Sequence, residues 1–65
     1  MKYKYPYAER LAFVRLWANA ISDLGDAIEA VEISNSSGSR QRQRAATEKL
    51  RQFNERSVEM FTKSF

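Results

Sequence analysis

Apolar residues in the first half of the chain recur at alternating intervals of three and four. Val14, Ile21 and Ile28 stand seven residues apart, and Trp17, Leu24 and Val31 interleave with them at the same interval. That alternation puts six side chains along one side of an α-helix and marks a packing seam. It predicts one helix over residues 7–33. Pro6 suits the position ahead of a first helical turn, and Glu9 suits the positive end of the helix dipole. Gly25 costs about 1 kcal/mol against alanine inside a helix. We expect the helix to continue through it; the alternative is a break, with Asp26 capping a short second piece.

The second half repeats the pattern more thinly. Ala46, Leu50, Phe53, Ser57 and Met60 follow intervals of four and three, and Phe61 and Phe65 widen this seam toward the C-terminus. A second helix is expected over 40–64, with Ser39 as its N-cap. Residues 34–39, rich in serine with one glycine, form the connecting loop. Two helices of about 25 residues are each roughly 38 Å long. Matched lengths and a short polar connection point to an all-α fold, a two-helix antiparallel hairpin in a single domain over 1–65. Residues 1–6 precede it as an aromatic and basic arm.

The two helices are unequal. From Ala8 to Ile33, 16 of 26 residues are apolar; from Arg40 to Phe65, 8 of 26 are. One thin partner cannot cover so broad an apolar surface. Phe13, Leu16 and Ile33 lie off the main seam and need their own cover. Ala18, Ala20, Gly25 and Ala27 are small enough to let another helix approach closely. The economical solution is a homodimer of hairpins forming a four-helix bundle, with Val14, Trp17, Ile21, Leu24, Ile28 and Val31 as the self-association seam; the alternative is a single hairpin docked by the same surface on a different protein. A chain of 65 residues is marginal alone, and a second copy supplies stability without a disulfide or a metal.

Composition narrows the chemistry. There is no cysteine and no histidine. That removes disulfides, thiolate nucleophiles, the commonest metal ligands and the commonest general base. The run Asp23, Asp26, Glu29 and Glu32 lacks the ordered oxygen-rich loop that a hard cation needs. A carboxylate pair needs a concave site to hold one pKa high, and two helices offer little concavity. No phosphate loop or serine-centred motif is present. We therefore expect no enzyme, no cofactor and no metal site. Trp17 and the phenylalanines, at helical spacing, are read as core. The apolar stretch near the start is interrupted by Glu9, Arg10 and Arg15, so it does not resemble a signal peptide. No apolar run reaches the length of a membrane span, and the acidic polar side near residues 23–32 argues against anionic lipid. A cytoplasmic protein with no membrane partner is expected.

Charge sets the remaining expectations. The net charge is +3 and the signs are segregated. The acidic run closes the first helix and Arg40, Arg42 and Arg44 open the second, both against the helix dipole. A hairpin brings these ends together, so we expect an intramolecular clasp between them. Arg42, Lys49, Arg56 and Lys63 stand at seven-residue intervals down one side of the second helix, with Arg40, Arg44 and Arg51 in a neighbouring row. The arm adds Lys2 and Lys4 between Tyr3, Tyr5 and Tyr7; its tyrosines can fold back over the bundle end as an aromatic lid, the arm can pair as a β-strand or fray, or it can bind a ligand. Lysines neutralise phosphates and tyrosines stack on bases, so these nine cations are candidates for phosphate or an acidic partner. Two functions follow. One is a small non-catalytic adaptor or inhibitor that self-associates and docks on a protein. The other is a nucleic-acid-binding regulator using the cationic rows and the arm.

Overall fold

The computed structural model describes residues 2–64 and gives the order β1 (Lys2–Tyr3), α1 (Tyr7–Ile33), α2 (Ser37–Met60) and β2 (Lys63–Ser64). The two helices pack against each other as an all-α hairpin, 49 × 16 × 12 Å overall. The fold class read from the pattern is the one observed.

α1 runs unbroken through Gly25. Its first hydrogen bond joins the Arg10 amide to the Pro6 carbonyl at 3.1 Å. It ends where Ser34 takes an extended backbone while its amide still donates to the Ala30 carbonyl at 2.9 Å. The connection needs only Ser34, Asn35 and Ser36, and no described residue outside glycine has a positive φ.

The second helix differs from expectation at both ends. It begins at Ser37, not residue 40, because Ser36 is the cap. The Ser36 hydroxyl oxygen accepts from the Ser39 amide at 3.2 Å, satisfying one of the amide donors left free at a helix start. Ser39, the expected cap, sits inside the first turn and donates its hydroxyl to the Ser34 carbonyl at 2.6 Å. α2 stops at Met60, not residue 64, because the chain then turns back to pair with the arm. β1 and β2 are antiparallel, with Lys2 opposite Ser64 and Tyr3 opposite Lys63. Phe65, assigned to the second seam by its spacing, lies outside the described residues.

The core is small. Phe13, Ala20, Ala27 and Met60 are buried, at 5%, 2%, 0% and 8% exposure. From α2, Gln43, Ala46, Leu50, Phe53 and Ser57 are half-buried at the same four-and-three spacing that ends on Met60. From α1, Phe13, Trp17, Ala20, Leu24, Ala27 and Val31 form the facing row. Ala20 and Ala27 let the larger α2 side chains approach the α1 backbone. Phe13 is the hub at the other end, with ring centroids 5.6 Å from Trp17, 5.6 Å from Phe53 and 6.3 Å from Phe61. Aromatic groups at such separations add about 0.5–1.5 kcal/mol per pair beyond the area they bury.

Candidate interaction surface

The six residues of the expected self-association seam divide between two sides of α1. Trp17, Leu24 and Val31 are half-buried on the side turned to α2, and the Trp17 indole donates to Asn54 Oδ1 at 2.9 Å. Val14, Ile21 and Ile28 face outward, at 39%, 53% and 46% exposure. The inner row pairs the Trp17 set with Phe13, Ala20 and Ala27 instead. The outer residues lie one position further along the chain, so they sit about 100° around the helix from the inner row. Together with Leu11, Ala18 and Gly25 they repeat the same spacing: Leu11, Val14, Ala18, Ile21, Gly25, Ile28. α1 therefore carries two seams, and α2 covers one.

The uncovered seam continues toward α2 at one end. Tyr7, Arg10, Leu11 and Val14 border a notch with Phe61. On the opposite side of the hairpin, Ala20 and Asp23 line a groove with Arg42, Ala45, Ala46 and Lys49. The molecule thus has an apolar side and a basic side.

The candidate cations are exposed but not equivalent. Arg51 is engaged on α2 itself, 2.6 Å from Glu48 and 3.4 Å from Glu55. The hydrogen bond from Arg51 holds the Glu48 carboxyl below its ordinary pKa and, in return, raises that of Arg51. Lys4 lies 3.5 Å from Glu59. Lys63 belongs to β2, with its ammonium 5.3 Å from the Tyr3 ring centroid. The expected four-residue helical row therefore stops at Arg56. Lys2 lies in β1, and its carbonyl accepts from the Ser64 hydroxyl at 3.2 Å. Among the described residues, Arg40, Arg42, Arg44, Lys49 and Arg56 make no ion pair.

The expected clasp at the connecting end does not close. Among the described residues, no carboxylate of Asp23, Asp26, Glu29 or Glu32 lies within 4 Å of Arg40, Arg42 or Arg44. The reason is angular. Spacings of three residues wind the four acids around α1, so they do not collect on its α2 side. Asp23 alone reaches the groove that Arg42 also borders.

The arm is latched to its own chain. The Lys4 amide donates to the Thr62 carbonyl at 2.9 Å. Tyr3 packs edge-on against Phe61 with centroids 6.4 Å apart, and the Arg10 guanidinium lies 3.9 Å from the Tyr3 ring centroid. The Tyr5 hydroxyl donates to Glu59 Oε1 at 2.7 Å. That hydrogen bond, helped by Lys4, lowers the Glu59 carboxyl below its ordinary value, and the same bond raises the Tyr5 phenol. The latch needs an ionised carboxylate and a neutral phenol. Its contribution is present above the unfolded glutamate pKa and fades as pH falls through the lowered folded value. At the alkaline end it fades as pH rises through the raised phenol value. In Tyr5→Phe, the Glu59 titration followed by carbon-detected NMR is expected to move up toward that of a free glutamate. An unchanged titration would show that Lys4 alone sets it.

Among the described residues, no group of three His, Cys, Asp or Glu side chains converges to hold a metal ion, and no helix is long and apolar enough to cross a membrane. The folding back of the tyrosines was legible as one course open to the arm, but nothing in the spacing joins Tyr5 to Glu59 across 54 residues. The outer seam was partly visible in Val14, Ile21 and Ile28; it emerged whole only once Phe13 was seen to face inward. No protein-family model matches this chain, and no curated protein or solved structure matches it either.

Proposed function

We propose that the chain is a non-catalytic helical interaction protein, an adaptor or inhibitor, that self-associates through α1 and docks on a protein partner. The observation that supports this is the outward row of Val14, Ile21 and Ile28, a heptad-spaced apolar surface left 39–53% exposed in the hairpin. A second copy buries it most simply, as a dimer of hairpins in a four-helix bundle. The basic side then stays outward. There Leu16, 57% exposed, lies one heptad before Asp23 on the side of α1 toward Arg42 and Lys49. That mixture of apolar and cationic groups suits an acidic partner surface. Association stabilises the folded state by mass action. The melting temperature is therefore expected to rise with protein concentration. A value constant over a hundredfold range would sink the self-association.

A nucleic acid is the second reading, favoured by the absence of any ion pair at Arg42, Lys49 and Arg56 among the described residues. Changing these three to glutamine is expected to leave stability within about 0.5 kcal/mol, the range of surface substitutions that break no contact. Chemical denaturation checks this, and a larger loss would restore the clasp. Fluorescence anisotropy with labelled random-sequence RNA and DNA separates the partners. Docking on protein predicts no micromolar binding at physiological salt. Binding that weakens steeply with salt, and that the triple variant loses, would make phosphate the ligand.

A further inference from the structure

We infer that the partner on the outer seam of α1 is the α1 helix of a second copy running antiparallel, with Ala18 at the two-fold axis. This rests on the self-association proposed above and specifies its geometry. Three observations carry it.

The first is size complementarity within the row. Turning the helix end for end about Ala18 sets Leu11 opposite Gly25 and brings Val14 and Tyr7 to within one residue of the levels of Ile21 and Ile28. Ala18 meets its own copy. The long side chain falls where the other helix has none, and the closest approach falls on the smallest pair. Nothing within the hairpin explains the glycine: a Cβ built on Gly25 meets no atom within 4 Å. An open position inside a helix that would gain from any other side chain makes sense where a second backbone must come close.

The second is charge. Arg10 and Arg15 lie in the N-terminal part of α1. Asp23, Asp26, Glu29 and Glu32 lie in its C-terminal part, which carries no basic residue. Asp23 lies on the other side, toward Arg42, but Glu32 continues the seam after Ile28 and Glu29 flanks it, so a parallel pair would set these two carboxylates beside their own copies. An antiparallel pair moves each acidic end away from its own copy and toward the other copy's end that holds Arg10, and opposes the two helix dipoles. These acids find no ion-pair partner within 4 Å in the hairpin among the described residues.

The third is area. A folded monomer of 7.6 kDa exposes about 4,300 Å² on the usual scaling of surface with mass. This chain exposes 5088 Å². The excess, on the order of 800 Å², goes with the elongated 49 × 16 × 12 Å shape and is of the size that each partner contributes to a standard stable interface. The inner and outer seams diverge by about 100°, so the two-fold also brings the two α2 helices side by side and closes a four-helix bundle.

The chain has no cysteine, so one introduced thiol gives one label. Ala8 is exposed and stands clear of the outer seam. With a nitroxide on Ala8→Cys, electron–electron dipolar spectroscopy reads the separation of the two labels, alongside the mass of the labelled protein. In the antiparallel register, residue 8 of one copy lies level with residue 28 of the other, about 30 Å along the axis from its own counterpart at 1.5 Å per residue. The expected result is a dimer with labels roughly 30 Å or more apart. A dimer with labels near 10–15 Å would overturn the antiparallel arrangement and leave self-association standing. A monomer with no intermolecular coupling would overturn both and give the seam to a different protein.

Discussion

Ile21→Asp is expected to dissociate the protein while leaving the hairpin folded. Ile21 is 53% exposed in the single chain, so a carboxylate there stays hydrated and costs the hairpin little. In the proposed dimer each copy presents the residue to the interface. Fully burying an isoleucine side chain is worth about 1.5–3 kcal/mol; with 53% of Ile21 left to bury in each of two copies, about the same amount is lost per dimer. A weakening of at least about tenfold follows at 1.4 kcal/mol per tenfold, before counting the cost of two desolvated carboxylates. The neighbouring residue supplies the control. Ala20 is 2% exposed between the helices, so Ala20→Asp forces a carboxylate into their packing, at the edge of the groove that Arg42 and Lys49 border, and is expected to cost the fold far more than Ile21→Asp. Far-UV circular dichroism reads the fold of each variant, and light scattering reads its mass. If Ile21→Asp remained a dimer of unchanged affinity, the outer seam would not be the interface.

Phe13→Ala is expected to be the most damaging truncation in the chain. Phe13 is 5% exposed and joins Trp17, Phe53 and Phe61 in one aromatic cluster, the last of which also carries Tyr3 of the arm. Removing a buried phenylalanine side chain costs about 3–5 kcal/mol. A 65-residue domain has a total stability of only about 3–10 kcal/mol at usual per-residue values. Thermal melts should therefore show the fold mostly lost, with the arm released at the same time. A cooperative melt within a few degrees of the parent would mean that the cluster carries little of the stability.

The second prediction turns on a residue that the apolar pattern placed off the seam, and the reason is specific. Trp17, Leu24 and Val31 belong equally to two overlapping rows, one completed by Val14, Ile21 and Ile28 and one by Phe13, Ala20 and Ala27. Hydrophobicity alone favours the first, because isoleucine outranks alanine. The hairpin takes the second, because Leu50, Phe53 and Met60 on α2 are bulky and need a facing row with room. That choice depends on side chains more than twenty residues away, which a local period does not carry. The α2 row had no such competitor, since both its flanks are polar, and its spacing was legible from Ala46 to Met60. The ends of α2 were not. Four serines in six residues offer several caps, and Ser36 outcompetes Ser39 only once the Ser39 hydroxyl is committed to Ser34. The arm and the C-terminal strand are two residues each, too short for an alternation to register. The clasp failed as an expectation because net charge by region ignores direction: the four acids share an end of α1 but not a side.

Sedimentation equilibrium of the unmodified protein at micromolar concentrations tests the account most directly. Two chains of 7.6 kDa moving as one species, dissociating reversibly on dilution, is the result expected of a helix with two seams and one intramolecular partner. A single chain at every concentration up to the millimolar range would contradict it.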